Sequence, residues 1–526
     1  MNSYDVVIAG GGLAGQCLAR QLRLAHANLR LAVIEKAALP YPTAAHKVGE
    51  SSVEIGAHYF ARKLKLADHI AKDQLPKYGL RFFFGHDDNR QIGDRLELGV
   101  SETYPTPSYQ FDRGILENHL VTLNRDAGID VFDGTRVTGI NTSEVEHQIT
   151  AIHKGQERLF KTKWFIDAAG RAALLKRKLG WQQSNNHDIH AVWFRVADRV
   201  KIDDWCSDPE WIARCKSPGS RWLSTNHLMG NGYWVWLIPL SSGSTSVGIV
   251  ADSNMHALAD MNSHDRALAW LNAFEPQCAQ ALKHLPPQDF LALKHFSHGS
   301  MNVFSVDRLA VTGEAGAFLD PFYSPGSDFI ALSNTLIADL VDRDIKGESI
   351  LARTQVYDQI YLGLVDATLP VYLHQYPIFG HHQVMPAKIV WDYISYWSTV
   401  GFLYFWERLT DMSFLARNKQ KLKQAAELNV AMQEDFRKWA TAMPQTQRTT
   451  FVDQFAIPLL AELNTHLSEY DPQANAEERF ERNICIMNDA AAEIRAAFDG
   501  QIMDPEGMLT RVLQDILGKR QIATLT

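Results

Sequence analysis

The chain opens on an apolar strand pattern, Tyr4 to Ala9, and after a helix-like run a second strand-like segment follows at Arg30–Glu35. Strands alternating with helices in this way predict a parallel α/β sheet. Between about residues 190 and 300 strand patterns dominate, including Tyr233–Leu240 and Thr245–Ala251, and Ser241 to Ser244 between them reads as a hairpin turn. A strand-and-helix run at Leu309 to Leu340 resembles a return to the first pattern, and from about residue 346 helical periodicity takes over. The predicted organisation is an α/β domain made of 1–190 and 301–345, a β-rich region over 191–300 and a helical C-terminal region over 346–526.

One apolar stretch, Ile389 to Trp406, carries eight aromatic residues, and Asp392, Ser395, Ser398 and Thr399 recur on one side of it at helical spacing. A membrane span needs about 20 apolar residues. The stretch therefore predicts an amphipathic helix covering a pocket, with a monotopic membrane contact as the second reading.

Composition narrows the class of protein. A chain of 526 residues exceeds one ordinary core, and 46% hydrophobic with 21% charged residues is a globular balance. A net charge of -8 excludes a general attraction to nucleic acid or anionic lipid. The five cysteines, Cys17, Cys206, Cys215, Cys278 and Cys485, form no CxxC pair and read as reduced thiols, and the strand pattern begins too early to leave room for a signal peptide. A cytoplasmic location is expected.

The strongest chemical signal follows the first strand at once. In Gly10-Gly11-Gly12-Leu13-Ala14-Gly15, Gly10 permits a tight turn, Gly12 lets backbone approach a pyrophosphate, and Gly15 lets a helix pack on the strand. Phosphates would sit at the helix N-terminus, where free N–H groups and the helix dipole favour negative charge. Glu35, closing the second strand, is placed to accept hydrogen bonds from a ribose and disfavours a 2′-phosphate. No second GxGxxG follows a strand, so a separate NAD(P)H domain is not expected.

Phe165-Ile166-Asp167-Ala168-Ala169-Gly170-Arg171 and Ala310-Val311-Thr312-Gly313-Glu314-Ala315 resemble the second and third flavin motifs of para-hydroxybenzoate hydroxylase-type flavoproteins, which usually have Asp where this chain has Glu314. Four further segments narrow the resemblance: Val48-Gly49-Glu50-Ser51-Ser52, Lys77-Tyr78-Gly79, Trp234-Val235-Trp236-Leu237-Ile238-Pro239 and Phe318-Leu319-Asp320-Pro321-Phe322-Tyr323-Ser324-Pro325-Gly326. They match VGES, K-x-G, W-x-W-x-I-P and F-x-x-P-x-x-S-x-G. Over roughly its first 345 residues the chain thus resembles flavin-dependent halogenases, nearest in motif to those of phenols and pyrroles.

That resemblance implies an FAD-binding Rossmann-like (GR2-type) domain, a β-rich substrate-side sheet and a helical cap. It implies FAD held by Gly10, Gly12, Ala14, Gly15, Glu35, Glu50, Ser51, Arg113, Asp167, Gly313, Glu314, Pro321 and Gly326. It further implies that FAD, reduced by a partner flavin reductase, reacts with O2 and with chloride or bromide to release hypohalous acid, which travels to Lys77. There an ammonium would hydrogen-bond the oxidant, or a free amine, favoured if burial depresses the lysine pKa, would form a haloamine. Trp234, Trp236, Pro239, Phe318, Tyr323 and Ser324 would line the substrate and oxidant channel. Halide would rest on the backbone N–H groups at positions 325 and 326.

Two departures qualify this. Tyr323 stands where tryptophan halogenases carry Glu, which favours a phenol- or pyrrole-type ring over indole. Pro325 has no N–H, which removes one halide donor and gives a second reading, an aromatic monooxygenase on the same scaffold. A third is a non-catalytic FAD-binding scaffold. His374, His381 and His382 lie in a loop-like setting without ligand spacing, so no metal is expected. The basic run Arg417, Lys419, Lys421 and Lys423 reads as a solvated helix face, with docking of an acidic acyl carrier protein as the alternative.

Overall fold

The computed structural model describes residues 2–42, 49–217, 219–445, 447 and 449–499. Val48 of the VGES segment lies outside them. Two compact units form, each from three stretches of chain. The first comprises Met1–Gln74, Phe111–Asn186 and Ser297–Asp366, and the second Leu75–Gln110, His187–Phe296 and Ala367–Thr526.

The first unit is built on an eight-stranded sheet whose main path runs Phe304–Ser305, Leu309–Val311, Gln156–Asp167, Asn2–Ala9, Leu31–Ile34, Asp130–Phe132. The last five are parallel, as the alternation of strand and helix requires. Register matters most here. Ala9 lies opposite both Ile34 and Asp167, and Asp167 lies opposite Val311. The glycine turn, Glu35, the second motif and the third motif therefore all leave the sheet along one edge, at the carboxyl ends of the strands, where open α/β sheets take their ligands.

The second unit carries another eight-stranded sheet, in the order Pro287–Lys294, Ile189–Val196, Thr245–Asp252, Tyr233–Pro239, Thr225–Gly230, Leu80–Phe84, Leu96–Gly99, Phe451–Asp453. The expected hairpin is present, with Pro239 paired to Thr245 across its turn. Strand alternation splits the residues between two faces. Phe83, Val192, Phe194, Leu228, Val235, Leu237, Val247 and Ile249 build a hydrophobic core with Trp270, Leu271 and Leu282 of the helices His264–Phe274 and Pro276–Leu282. The opposite face carries Phe82, Trp193, His227, Trp234 and Trp236, also buried.

Helices dominate after residue 346, as expected: Leu351–Thr368, Val384–Tyr396, Met412–Ala442, Pro458–Ser468 and Ala476–Asp499. The short strand Phe451–Asp453 was not foreseen. It pairs with Leu96–Gly99, and the Asp453 carboxylate accepts from the Ser101 backbone N–H at 2.9 Å and hydroxyl at 2.6 Å. Three residues give too short a window for alternation to register.

The Ile389 to Trp406 stretch requires a correction. It is helical, but it is interior rather than an amphipathic cover, and Ile389, Val390, Trp391, Ile394, Trp397, Phe402 and Trp406 are all buried. Its polar positions face partners within the protein. Asp392 accepts from Lys388 at 2.6 Å and Gln433 at 2.7 Å, and Thr399 donates to the Ser395 carbonyl. Among the described residues no helix is long and apolar enough to cross a membrane.

Candidate functional site

In the first unit the three glycines of the fingerprint do different work. Gly10 has φ +107°, and a Cβ there would lie 2.2 Å from the Ala168 carbonyl oxygen, so only glycine lets the first and second motifs close together. A Cβ on Gly15 would lie 2.0 Å from the Gly10 carbonyl oxygen, which is the close packing of helix on turn. Gly12 is unlike both. It caps the helix Leu13–Ala25, and a Cβ on it would meet nothing nearer than Glu117 Oε2 at 3.9 Å. The space before the helix N-terminus is open, and the first-turn N–H groups have no partner within the helix.

Around that opening stand carboxylates with different commitments. Glu35 is buried and accepts from the backbone N–H groups of Gly11 at 2.6 Å and Ala37 at 2.8 Å. It braces the glycine turn, and each oxygen keeps a lone pair for a further donor. Asp167 receives the Ala169 and Leu175 N–H groups at 2.9 and 2.8 Å. Burial pushes its pKa up against those bonds. Its side chain thus shapes the second motif. Gly313, at φ +60°, lies against the first turn of the helix, where an added Cβ would come within 2.9 Å of the Ala14 side chain. Burial raises the pKa of Glu314 beside it, and the positive charges of Arg113 and Arg171 oppose this. Arg113 itself holds Glu117 through two bonds of 2.9 and 2.6 Å and reaches the Gly49 carbonyl at 3.3 Å. Glu50 and Ser51 are buried, and the Glu50 carbonyl accepts from Phe111 N–H at 2.6 Å.

The segment from Phe318 to Gly326 ends in a second helix N-terminus. Phe318 exchanges backbone bonds with His298 at 2.8 and 2.9 Å, and Ser324 N–H donates to the Pro321 carbonyl at 2.9 Å. Tyr323 and Ser324 have φ of +68° and +59°, a left-handed pair of non-glycine residues of the kind that clusters at functional sites. Sequence reading had no signal for that strain. Pro325, at φ -75°, is the N-cap of Gly326–Ile345, its carbonyl accepting from Phe329 N–H at 3.0 Å. A Cβ added at Gly326 would meet nothing within 4 Å.

The second unit holds the other sequence-selected residues. Lys77 ends the strand Leu75–Lys77, which pairs with Ser108–Gln110, and it is 5% exposed. Trp234 and Trp236 lie on one face of their strand with centroids 5.6 Å apart, and Pro239 ends that strand. Trp234 Nε1 donates to the Tyr376 hydroxyl at 3.0 Å, and Trp236 Nε1 to Ser246 Oγ at 3.2 Å. Trp236 lies flat over Gly248, where a Cβ would fall 2.2 Å from its ring. Sequence reading missed His227, whose ring stacks on Phe82 at 4.6 Å and lies 5.3 Å from Trp234. A lone histidine in a strand carries no motif.

The basic run on Met412–Ala442 is largely engaged within the protein: Arg417 pairs with Glu477, Lys421 with Glu481 and Lys423 with Glu427. This favours the solvated-face reading over the docking one. Among the described residues no group of three or more metal-ligating side chains occurs.

These features agree with what the chain is similar to. Residues 3–265 match the family model described as FAD binding domain. Flavin-dependent halogenase chlA of Dictyostelium discoideum is 26% identical over 430 residues, 76% of this chain and 70% of the relative. The 1H-pyrrole-2-carbonyl-[peptidyl-carrier protein] chlorinase of Pseudomonas fluorescens is 26% identical over 359 residues, 64% of this chain and 75% of the relative. Among solved structures, halogenase PltM in complex with phloroglucinol and FAD superposes with a TM-score of 0.67 at 17% identity, over 97% of this chain and 98% of that one. The chain belongs to the FAD binding domain family, and the relatives and solved structures it is similar to are flavin-dependent halogenases. It is accordingly an FAD-dependent oxidoreductase-type enzyme.

Proposed function

We propose that the chain halogenates an electron-rich aromatic ring of phenol or pyrrole type, using FAD reduced by a separate flavin reductase, O2, and chloride or bromide. The observation that carries this reading is Lys77, a buried lysine in a unit whose sheet turns an aromatic face, distinct from its hydrophobic core, toward Tyr376. A buried amine without a functional reason is costly. An amine that receives an electrophilic halogen has one.

Reduced FAD supplies, with O2, the oxidising equivalent that converts halide to an electrophile. The residues of the first unit have the task of holding it. The N–H groups of the Leu13–Ala25 helix would take the pyrophosphate across the open side of Gly12, Glu35 the adenosine ribose, and Glu314, with Arg113 near, the ribityl chain. The first-turn N–H groups from Gly326 onward would take the halide. In the second unit Lys77 would hold the halogen for delivery to one ring carbon, while the indoles of Trp234 and Trp236 wall the platform. The pyrrole carrier-protein chlorinase and the phloroglucinol complex support an electron-rich ring.

Pro325 favours one rival reading, aromatic hydroxylation, because it subtracts a halide donor. Mass spectrometry of products formed with FAD, a flavin reductase, chloride or bromide, and a panel of phenols and pyrroles separates the two. Halogenated product from wild type, lost in Lys77→Ala with FAD binding retained, is expected. Hydroxylated product at saturating halide would overturn the proposal.

A further inference from the structure

His227 of the second unit lies within reach of the Lys77 charge. Its ring is enclosed, at 1% exposure. Nδ1 lies 3.1 Å from the Arg81 carbonyl oxygen. A carbonyl only accepts, so Nδ1 carries the proton, and the neutral ring presents Nε2 as a lone-pair acceptor. Phe82 and Trp234 on either side fix the plane of the ring.

The backbone carrying Lys77 is locked to the strand carrying His227. Tyr78 N–H donates to the Leu223 carbonyl at 3.2 Å, Ser224 Oγ to the Tyr78 carbonyl at 2.8 Å, and Thr225 N–H to the Gly79 carbonyl at 3.1 Å. Leu80–Phe84 then runs parallel to Thr225–Gly230, with His227 opposite Phe82. Three bonds within three residues leave the lysine backbone little freedom relative to the imidazole.

Electrostatics agree with this geometry. Burial drives the His227 pKa down to about 3, with the Arg81 carbonyl opposing and the Lys77 charge adding to the fall. The imidazole is neutral wherever the protein is folded and working. Other charged or titratable groups near it are differently engaged: the Arg81 side chain, one position along and so on the other face, pairs with Glu97, and the Tyr376 hydroxyl accepts from Trp234.

We propose that His227 is a positioning residue for Lys77, a neutral imidazole fixed in the Nδ1–H tautomer that offers Nε2 to the lysine amino group. It thereby sets both the direction and the protonation of that group. The idea rests on the reading of Lys77 as the halogen-transferring residue. An acceptor favours ammonium over amine, because hydrogen bonds from charged donors are the stronger ones. His227 thus counters part of the effect of burial on Lys77 without placing a second positive charge beside it.

The test follows Lys77 itself rather than product alone. Trace acetylation of the full-length protein with acetic anhydride across a pH series, read by peptide mass spectrometry, gives the titration midpoint of Lys77. In His227→Leu that midpoint should fall by about one pH unit, and in His227→Gln, whose amide oxygen accepts, it should return toward wild type. The alkaline limb of the halogenation profile should move down in step, with kcat reduced about tenfold in His227→Leu and KM little changed. Circular dichroism and thermal melting check the fold, and His227→Met replaces the leucine variant if that one does not fold. A Lys77 midpoint unchanged in a folded His227→Leu or His227→Met protein overturns the proposal. A midpoint that shifts as expected while Lys77→Ala still halogenates leaves the pairing intact and removes Lys77 as the transfer residue.

Discussion

The two units build their candidate sites from opposite materials. In the first, the site is mostly backbone: Gly10 and Gly15, which no other residue replaces without collision, helix N-termini, and carboxylates that accept hydrogen bonds from main-chain N–H groups. In the second it is side chain: Lys77, His227, Phe82 and two tryptophans drawn from separate strands. Backbone suits a ligand defined by phosphates and hydroxyls, since N–H donors at a helix end are fixed in place. Side chains suit an aromatic substrate, whose recognition depends on ring faces and one reactive group.

The comparison breaks most visibly at the glycines. Gly10→Ala should lower the folded yield of the whole protein, because its Cβ would meet main chain at 2.2 Å and overpacking costs roughly 1–3 kcal/mol, with φ strain added. Gly12→Val, by contrast, should fold and melt near wild type while losing FAD, because its side chain meets only open space. Flavin retention after gel filtration, set beside the melting temperature, checks both. Equal FAD retention in Gly12→Val and wild type would mean that the phosphates do not sit there.

Lys77→Ala comes next and should cut halogenated product about a thousandfold, the upper middle of the range for losing a positioned catalytic group. FAD binding and the oxidation of reduced flavin should be unaffected. Product analysis alongside flavin oxidation monitored by absorbance reads the two together. Halogenation at the wild-type rate would dissolve the division of labour between the units.

How much of this was legible follows from the same contrast. Gly10, Gly12, Gly15, Glu35, Asp167 and Gly313 were readable because each constraint is local: a turn, a helix start, a strand end. Lys77, Trp234 and Trp236 were readable only through short motifs, and the aromatic face they belong to was not. Phe82, His227 and Trp234 meet because three strands pair in one register, and no window of sequence contains that. The interior position of Asp392 was hidden for a related reason. Its partners Lys388 and Gln433 are 4 and 41 residues away, and a polar residue at helical spacing looks the same whether it faces water or a buried network.

A buried ion cluster sharpens the comparison on the side of stability. In the second unit Glu97 is fully buried and receives Arg81, Arg221 and Arg214. Burial pushes its pKa up, but the three guanidinium groups outweigh that and hold it below the ordinary 4.5. A depressed carboxylate contributes stability that is present above its unfolded pKa and is lost as pH falls through the folded value. Glu97→Gln should therefore cost about 3 kcal/mol at neutral pH, as breaking buried pairs does, with the difference from wild type shrinking below about pH 4. Chemical denaturation at pH 7 and at about pH 3, inside that window, measures it. A constant difference at both would show that the charge is not what the arginines hold.

The smallest effect is expected at Pro325, which makes it a discriminating test between halogenation and hydroxylation. In the structure Pro325 is the N-cap of a 20-residue helix, and proline's fixed φ suits a helix start, where an N–H lacks an intrahelical partner anyway. The N–H groups that would face an anion there begin at Gly326, where an added Cβ would meet nothing within 4 Å. Restoring one donor at position 325 gains at most one charge-assisted bond, worth roughly 1.5–3 kcal/mol if ideally aimed, and an N-cap N–H points less directly along the helix axis than those of the first turn. Pro325→Ala is the cleaner variant, because a serine hydroxyl would cap the same first-turn donors and compete with the ion. The halide dependence of product formation should shift by less than about tenfold, an energy under roughly 1.4 kcal/mol, and the product should be halogenated in both proteins. A wild type that hydroxylates, turned toward halogenation by Pro325→Ala, would mean that the proline sets the reaction and that the halide site of the first unit depends on a donor this chain has given up.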